Sequence, residues 1–260
     1  MTDRLLQQWE ANAAAFAALI GGQGTPHHRE ILNPCVEQLL GDVNGLHLLD
    51  AGCGEGYLAR HYAERGAQVV GVDFSPKLIE ICKRQSEKLA IEYHVGDICN
   101  LSFLKDASFQ RILCNLVLLN VQHYDKALAE FYRVLEPAGF LVFSIVHPAF
   151  NIYGPGRWEL TEKDPKTGRR TGRYFVVDRY FEEKEYFAQW TTRSGEDFPQ
   201  EFSFFHRPIS SYAQALFKAG FQLLAMEEPK PVTSNPFFER EQRIPFFLVF
   251  KALKPKREKT

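Results

Sequence analysis

Leu48-Leu49-Asp50-Ala51-Gly52-Cys53-Gly54-Glu55-Gly56 is the stretch on which the fold turns. Its apolar start reads as a buried strand, its glycines as a tight turn, and residues 57–65 beyond it as a helix. A glycine turn between strand and helix lets backbone approach a ligand closely, with the free N–H groups of the helix start facing it. The spacing is GxGxG. A dinucleotide-binding loop of the GxGxxG kind needs its third glycine at position 57, where this chain has Tyr57. Glu55, inside the turn, would repel a phosphate lying on that helix terminus, a second argument against NAD.

Working outward, short apolar runs alternate with amphipathic segments, the signature of a parallel α/β sheet. Strands are predicted at 46–51, 68–73, 92–96, 111–115 and 140–146, the last entered through the turn Pro137-Ala138-Gly139. Pro76 suits an early helical position in a segment running to about 89, and residues 125–135 repeat apolar side chains on one helical face. Upstream, Leu5, Leu6, Trp9, Ala13 and Phe16 recur at helical spacing until Gly21-Gly22-Gln23-Gly24 breaks them, and a second helix spans about 30–40. Residues 151–205 lose the rhythm and are rich in aromatics and charge. It returns with a helix at 210–219 capped by Gly220 and strands at 221–226 and 244–253. The organisation expected is therefore N-terminal helices capping a ligand site (1–45), a core (46–150), an inserted lid (151–205), the remainder of the core (206–253) and a solvated, flexible tail (254–260).

The chain has 260 residues, 45% hydrophobic and 24% charged, ordinary values for a folded domain. A net charge of −1 supplies no global field for nucleic acid or anionic lipid. Cys35, Cys53, Cys82, Cys99 and Cys114 form no CxxC pair, which argues against a zinc site and for a reducing compartment. The N-terminus lacks the basic-then-apolar order of a signal peptide, and the run 112–121 is too short to span a bilayer. The expectation is a cytoplasmic protein with no membrane partner.

Polar residues stand at four equivalent strand ends: Asp50, Asp73, Asp97 and Asn115. In an open parallel sheet, ligands gather at the carboxyl ends of strands. An acid about twenty residues past the glycine loop is placed to bind ribose hydroxyls. Asp73 alone also reads as a helix cap, a job that Ser75 is equally able to do.

This constellation resembles the class I S-adenosylmethionine-dependent methyltransferases, particularly their small-molecule, ubiquinone-biosynthesis-like branch. The resemblance is clear over about 46–150, weaker before it, and general again at 206–220. It implies a Rossmann-like, doubly wound α/β fold: a mostly parallel seven-stranded sheet with an antiparallel last strand. It also implies S-adenosyl-L-methionine as cofactor. By that resemblance Asp50, Gly52 and Gly54 lie against the methionine portion, Asp73 binds ribose, and Phe74 packs on adenine. Asp97 accepts from the exocyclic amine, the Ile98 backbone meets the ring, and Asn115 and Leu116 lie beside the amino group and sulfonium. Acids suit a sulfonium cation better than a pyrophosphate. Asn115-Leu116-Val117-Leu118 departs from the Asn-Pro-Pro-Tyr-like tetrapeptide of adenine-N6 and glutamine methyltransferases.

The acceptor side is less legible. Methyl transfer from a sulfonium is an in-line displacement needing alignment above all, which supplies roughly 7–11 kcal/mol. His147, ending the fifth strand, and His206, where the insertion rejoins the core, are the candidate bases, each also readable as a loop anchor. Tyr174-Phe175, Tyr180-Phe181 and Tyr186-Phe187, with Trp190, Phe198, Phe202, Phe204 and Phe205, line an aromatic acceptor pocket or form a small core under a long loop. The basic run from Lys166 to Arg173 is a solvated hairpin tip or, if the acceptor is RNA, a phosphate contact. Arg29 beside His27 and His28 is open between a carboxylate contact and a surface role. The expected function is O- or N-methylation of a small molecule of aromatic or apolar character. An RNA methyltransferase, a non-catalytic S-adenosylmethionine-binding regulatory protein and a nicotinamide oxidoreductase are the competing readings, and no oligomeric state follows.

Overall fold

A computed structural model describes residues 3–166 and 170–256. Helix α1 (Asp3–Ile20) leads through a glycine-rich turn to a π-helical turn (His28–Leu32) and α2 (Asn33–Leu40). The core follows as β1 (His47–Ala51), α3 (Tyr57–Ala63), β2 (Gln68–Asp73), α4 (Pro76–Gln85), β3 (Glu92–Val95), β4 (Phe109–Asn115), α5 (Tyr124–Val134) and β5 (Leu135–Val146). Two hairpins interrupt it, β6 (Gly156–Leu160) with β7 (Gly172–Val177), and β8 (Lys184–Ala188) with β9 (Phe202–His206). Helix α6 (Ile209–Ala219), β10 (Gln222–Glu227) and β11 (Phe247–Leu253) complete the chain.

The main sheet has seven strands in the order β10-β11-β5-β4-β1-β2-β3. β11 runs antiparallel to both neighbours and every other pairing is parallel. Alternation divides the core between the two faces. Leu49, Ile112, Leu141, Phe143, Leu248 and Phe250 point to α5, α6 and the insertion. Leu48, Leu113, Val142 and Val249 point to α2 and α3. With both faces covered, these strands read as continuous apolar runs. Each fully buried Leu or Phe contributes about 1.5–3 kcal/mol. Phe143 and Phe250 stack at 4.6 Å across the β5–β11 pair.

Several boundaries differ from expectation, and three have a visible cause. α4 stops at Gln85, where the Ser86 hydroxyl turns inward to Tyr93 Oη at 3.0 Å. Its start is as predicted: Pro76 is at N1 and Ser75 Oγ accepts from the Leu78 amide at 3.1 Å. At Pro137-Ala138-Gly139 the chain does not leave the sheet. It bulges inside β5, Leu135 facing Phe109 and Phe140 facing Arg111, with Ala138 at φ 66°. That bulge pairs with Lys254 through Ala138 N–H to Lys254 O and Lys254 N–H to Gly139 O, both 2.9 Å. The first residue of the expected flexible tail is thus held in the ladder; residues 257–260 lie outside the described residues. Among the described residues no helix is long and apolar enough to cross a membrane.

Candidate active site

β1 ends in Ala51, and the glycine turn then folds back over β2: the Gly52 and Cys53 amides both donate to Val72 O, at 2.7 and 3.0 Å. Gly52 has φ 79°, and a Cβ there would stand 2.5 Å from Val117. Only glycine meets both conditions. Asp73 braces the turn from β2, its Oδ2 accepting from Gly54 N and its Oδ1 from Ser75 N, at 2.9 and 3.0 Å. Burial outweighs those two bonds and pushes the Asp73 carboxyl up to about 6. The loop-bracing role and the ligand role are compatible, because each oxygen retains a lone pair.

Asp50 is buried behind the turn, and burial together with the Asp73 charge raises it to about 7. Its Oδ2 has no hydrogen-bond partner. An orphaned buried acceptor costs about 1–3 kcal/mol. A cationic ligand seated on the turn relieves that cost, and for this reason the residues fit S-adenosylmethionine. Across the cleft, Asn115 Oδ1 accepts from Ser144 Oγ at 2.7 Å. Ser144 also accepts the Leu116 amide, through Oγ at 3.0 Å and O at 3.1 Å. Leu116 is thereby held at φ 57°, a left-handed conformation that non-glycine residues adopt at a cost.

One cavity of about 420 Å³ joins these elements. Asp50, Gly52, Gly54, Asp73, Phe74, Ile98, Asn115 and Leu116 all line it. Asp97 does not; Gly96 and Ile98 on either side of it do, while its carboxylate accepts from the Cys99 amide at 2.9 Å.

The second half of the cavity is built by α1 and the insertion. Asn12, fully buried, donates to Gln200 O and accepts from Gln200 N, at 2.8 and 3.0 Å. Ser203 Oγ donates to Gln8 Oε1 at 3.0 Å and accepts from Arg4 at 2.8 Å. On its other side α1 holds α4: Glu10 accepts from the Ser75 hydroxyl and from Lys77 N. Trp9 and Phe16 face the cavity from this roof, Trp190, Phe204 and Tyr153 from the insertion, and Tyr153 stacks on Phe204 at 5.5 Å. Buried Arg207 then fixes the wall after β4, donating to the carbonyls of Leu118, Val121 and Gln122 while lying 4.3 Å from the Tyr124 ring.

The aromatic readings of the insertion therefore separate residue by residue. Trp190 and Phe204 line the cavity, whereas Phe198 and Phe202 are core beneath it. Phe205 packs under the Arg207 guanidinium. None of the three Tyr-Phe pairs reaches the cavity, because they fall on β7, a turn and β8 instead of one extended face. Phe181 is 84% exposed. In the basic run, Lys166, Arg170 and Arg173 are exposed, and residues 167–169 lie outside the described residues.

Neither candidate base reaches the cavity. His147 is buried, its Nδ1 accepting from Ala149 N at 3.2 Å and its Nε2 2.9 Å from Glu228; burial lowers its pKa. His206 Nε2 contacts Tyr180 O at 2.8 Å. The histidines in the cavity are His27 and His28, which sequence position alone did not distinguish from Arg29. His28 Nδ1 sits 2.7 Å from Thr25 Oγ1, and burial, with the neighbouring His27 and Arg29 charges, drops its pKa to about 4. Arg29 turns away, donating to Gly24 O at 2.6 Å.

Residues 49–143 match a family model described as a methyltransferase domain. The chain is 29% identical over 231 residues to an uncharacterized protein of Haemophilus influenzae, covering 84% of this chain and 85% of that one. A ubiquinone biosynthesis O-methyltransferase of Coxiella burnetii is 35% identical over 139 residues, 51% of this chain and 57% of the enzyme. The chain thus spans little more than half the length of that relative. Among solved structures, an S-adenosylmethionine-dependent methyltransferase of Listeria monocytogenes, itself described as putative, superposes with a TM-score of 0.70 at 28% identity, covering 91% of this chain and 99% of that one.

Proposed function

We propose that the chain is a class I S-adenosylmethionine-dependent methyltransferase, and that it methylates a small, largely apolar acceptor at oxygen or nitrogen. The observation that carries this reading is the continuity of one cavity from the glycine turn into an aromatic chamber roofed by Trp9, Phe16 and Trp190.

In this reading Asp50, Gly52 and Gly54 hold the methionine portion, Asp73 the ribose, and Phe74 and Ile98 flank adenine. Asp97 shapes the adenine turn through Cys99, and Asn115 and Leu116 border the sulfonium. The cofactor, when bound, supplies an electrophilic methyl group. The chain's own residues align the acceptor and exclude water: α1 and residues 151–205 serve as lid, and Arg207 keeps the wall at Leu119–Val121 in place. His147 and His206 anchor loops and carry no proton to the acceptor. Five free thiols support a reducing, cytoplasmic setting.

Radiolabelled methyl transfer from S-adenosylmethionine into fractionated cell extract tests the acceptor class. Label is expected in the small-molecule fraction. Label confined to RNA or protein would overturn it.

A further inference from the structure

His27 is the second residue of the helical segment that follows the glycine-rich turn after α1, and it lines the cavity. Its Nε2 lies 3.1 Å from Glu241 Oε1, in a loop 214 residues further along the chain. Three phenylalanines hold the ring: Phe237, Phe238 and Phe246, with centroids 5.6, 5.4 and 5.2 Å away. Phe246 also lines the cavity, as do Leu116 and Val146, which pack with it on the same core cluster above the ends of β4 and β5. His27 and Asn115 thus line the same cavity.

The pairing fixes the tautomer. A carboxylate only accepts, so in the neutral ring Nε2 carries the hydrogen and Nδ1 keeps its lone pair. Among the described residues, the His27 ring forms its hydrogen bond through Nε2, and none donates to Nδ1. The Glu241 side chain is 15% exposed. Burial works against its charge, but the hydrogen bond from His27, with the His27 and Arg240 charges, holds it below the usual carboxylate range. The charged or titratable groups around His27 are His28 and Arg29 from its own segment and Arg240 and Glu241 from the facing loop. Arg29 is committed to Gly24 O, and Arg240 lies over the Trp158 ring. His28 is the wrong imidazole for a base, since Thr25 occupies its Nδ1. A nitrogen base held by a carboxylate on its far side is the arrangement by which enzymes activate hydroxyl groups.

We infer that His27, oriented by Glu241, takes the proton from a hydroxyl-bearing planar acceptor in the cavity. The inference rests on the methyl-transfer reading above. In the step, the acceptor O–H bond breaks, its electron pair stays on oxygen, and an N–H bond forms on Nδ1. The imidazolium shares its Nε2 proton with Glu241 as a hydrogen bond and later returns the Nδ1 proton to water. His27 is the catalytic residue of this step, and Glu241 positions it.

The experiment uses 4-nitrophenol as probe, because its phenolate band reports proton loss without any methyl transfer. The full-length protein is loaded with S-adenosylhomocysteine, and the bound-probe spectrum is read below the probe's own pKa. Wild type is expected to show the phenolate band. His27→Gln loses it while still binding S-adenosylhomocysteine in calorimetry, Glu241→Gln shows it only at higher pH, and Glu241→Asp restores part of it. Persistence of the band in His27→Gln overturns the inference, as does a wild-type complex that leaves the probe neutral or unbound. Absence of S-adenosylhomocysteine binding in wild type would instead sink the methyl-transfer reading.

Discussion

The two ends of the cavity are built by different means. At the cofactor end, each key residue is within a few positions of a strand terminus, and Asp73, Gly54 and Ser75 satisfy one another over about twenty residues of chain. At the acceptor end, the wall is assembled from residues far apart: Asn12 with Gln200, Arg4 with Ser203, His27 with Glu241. Local geometry makes the first end a property of one βαβ unit. Long-range pairing makes the second a property of the whole fold, free to differ between proteins that share the first.

The comparison breaks most visibly at Gly52. Gly52→Val places a branched side chain at φ 79° against Val117, and strain plus overpacking of about 2–6 kcal/mol is expected. Calorimetry should show no measurable heat with S-adenosylmethionine; retained affinity would mean the turn is not the cofactor seat.

Next in size is Asn12→Ala, which strands both backbone groups of Gln200 and should cost about 2–4 kcal/mol of stability by thermal denaturation. Its signature is a split: acceptor binding suffers as the roof loosens, while S-adenosylhomocysteine affinity changes little. Equal loss of both would mean that the two ends are not separable.

A subtler effect is electrostatic. Asp50 and Asp73 are raised to about 7 and about 6, above the unfolded value near 3.9. The folded state therefore binds more protons than the unfolded one between roughly pH 4 and 7, and stability from these groups is lost as pH rises through that window. Wild type without ligand should lose stability relative to Asp50→Asn on going from pH 5 to 8, by roughly 1–3 kcal/mol. The thermal shift produced by the cationic cofactor should grow over the same range. A flat difference between the two proteins would remove the orphaned carboxylate from the account.

The smallest effect belongs to Phe181→Ser. That ring is almost fully exposed and outside the cavity, so stability should stay within about 0.5 kcal/mol and cofactor binding should not move. A marked loss of methyl transfer in this variant would return the Tyr-Phe pairs to the acceptor site.

Legibility followed the same division. Strands β1 to β3, the carboxyl ends of β4 and β5 and the turn at Gly52 stand where periodicity and glycine spacing put them, because strand burial and positive φ leave marks on consecutive residues. The Pro137-Ala138-Gly139 segment reads locally as a turn into the fifth strand, whereas it is a bulge within it; its partner, Lys254, is more than a hundred residues away. Buried Asn12 and Gln8 did leave a signal, two amides on the inward stripe of α1, but nothing near them in sequence names their partners.

The amino-acid sequence by itself determined the layered α/β core, the glycine turn with its strand-end acids and the preference for a sulfonium over a pyrophosphate, since each depends on backbone conformation and on charges within one supersecondary unit. Only the tertiary structure decided which histidines meet the cavity, which insertion aromatics line it and which carboxylate stands behind an imidazole. Those are distances between segments brought together by burial, and chain order carries no record of them.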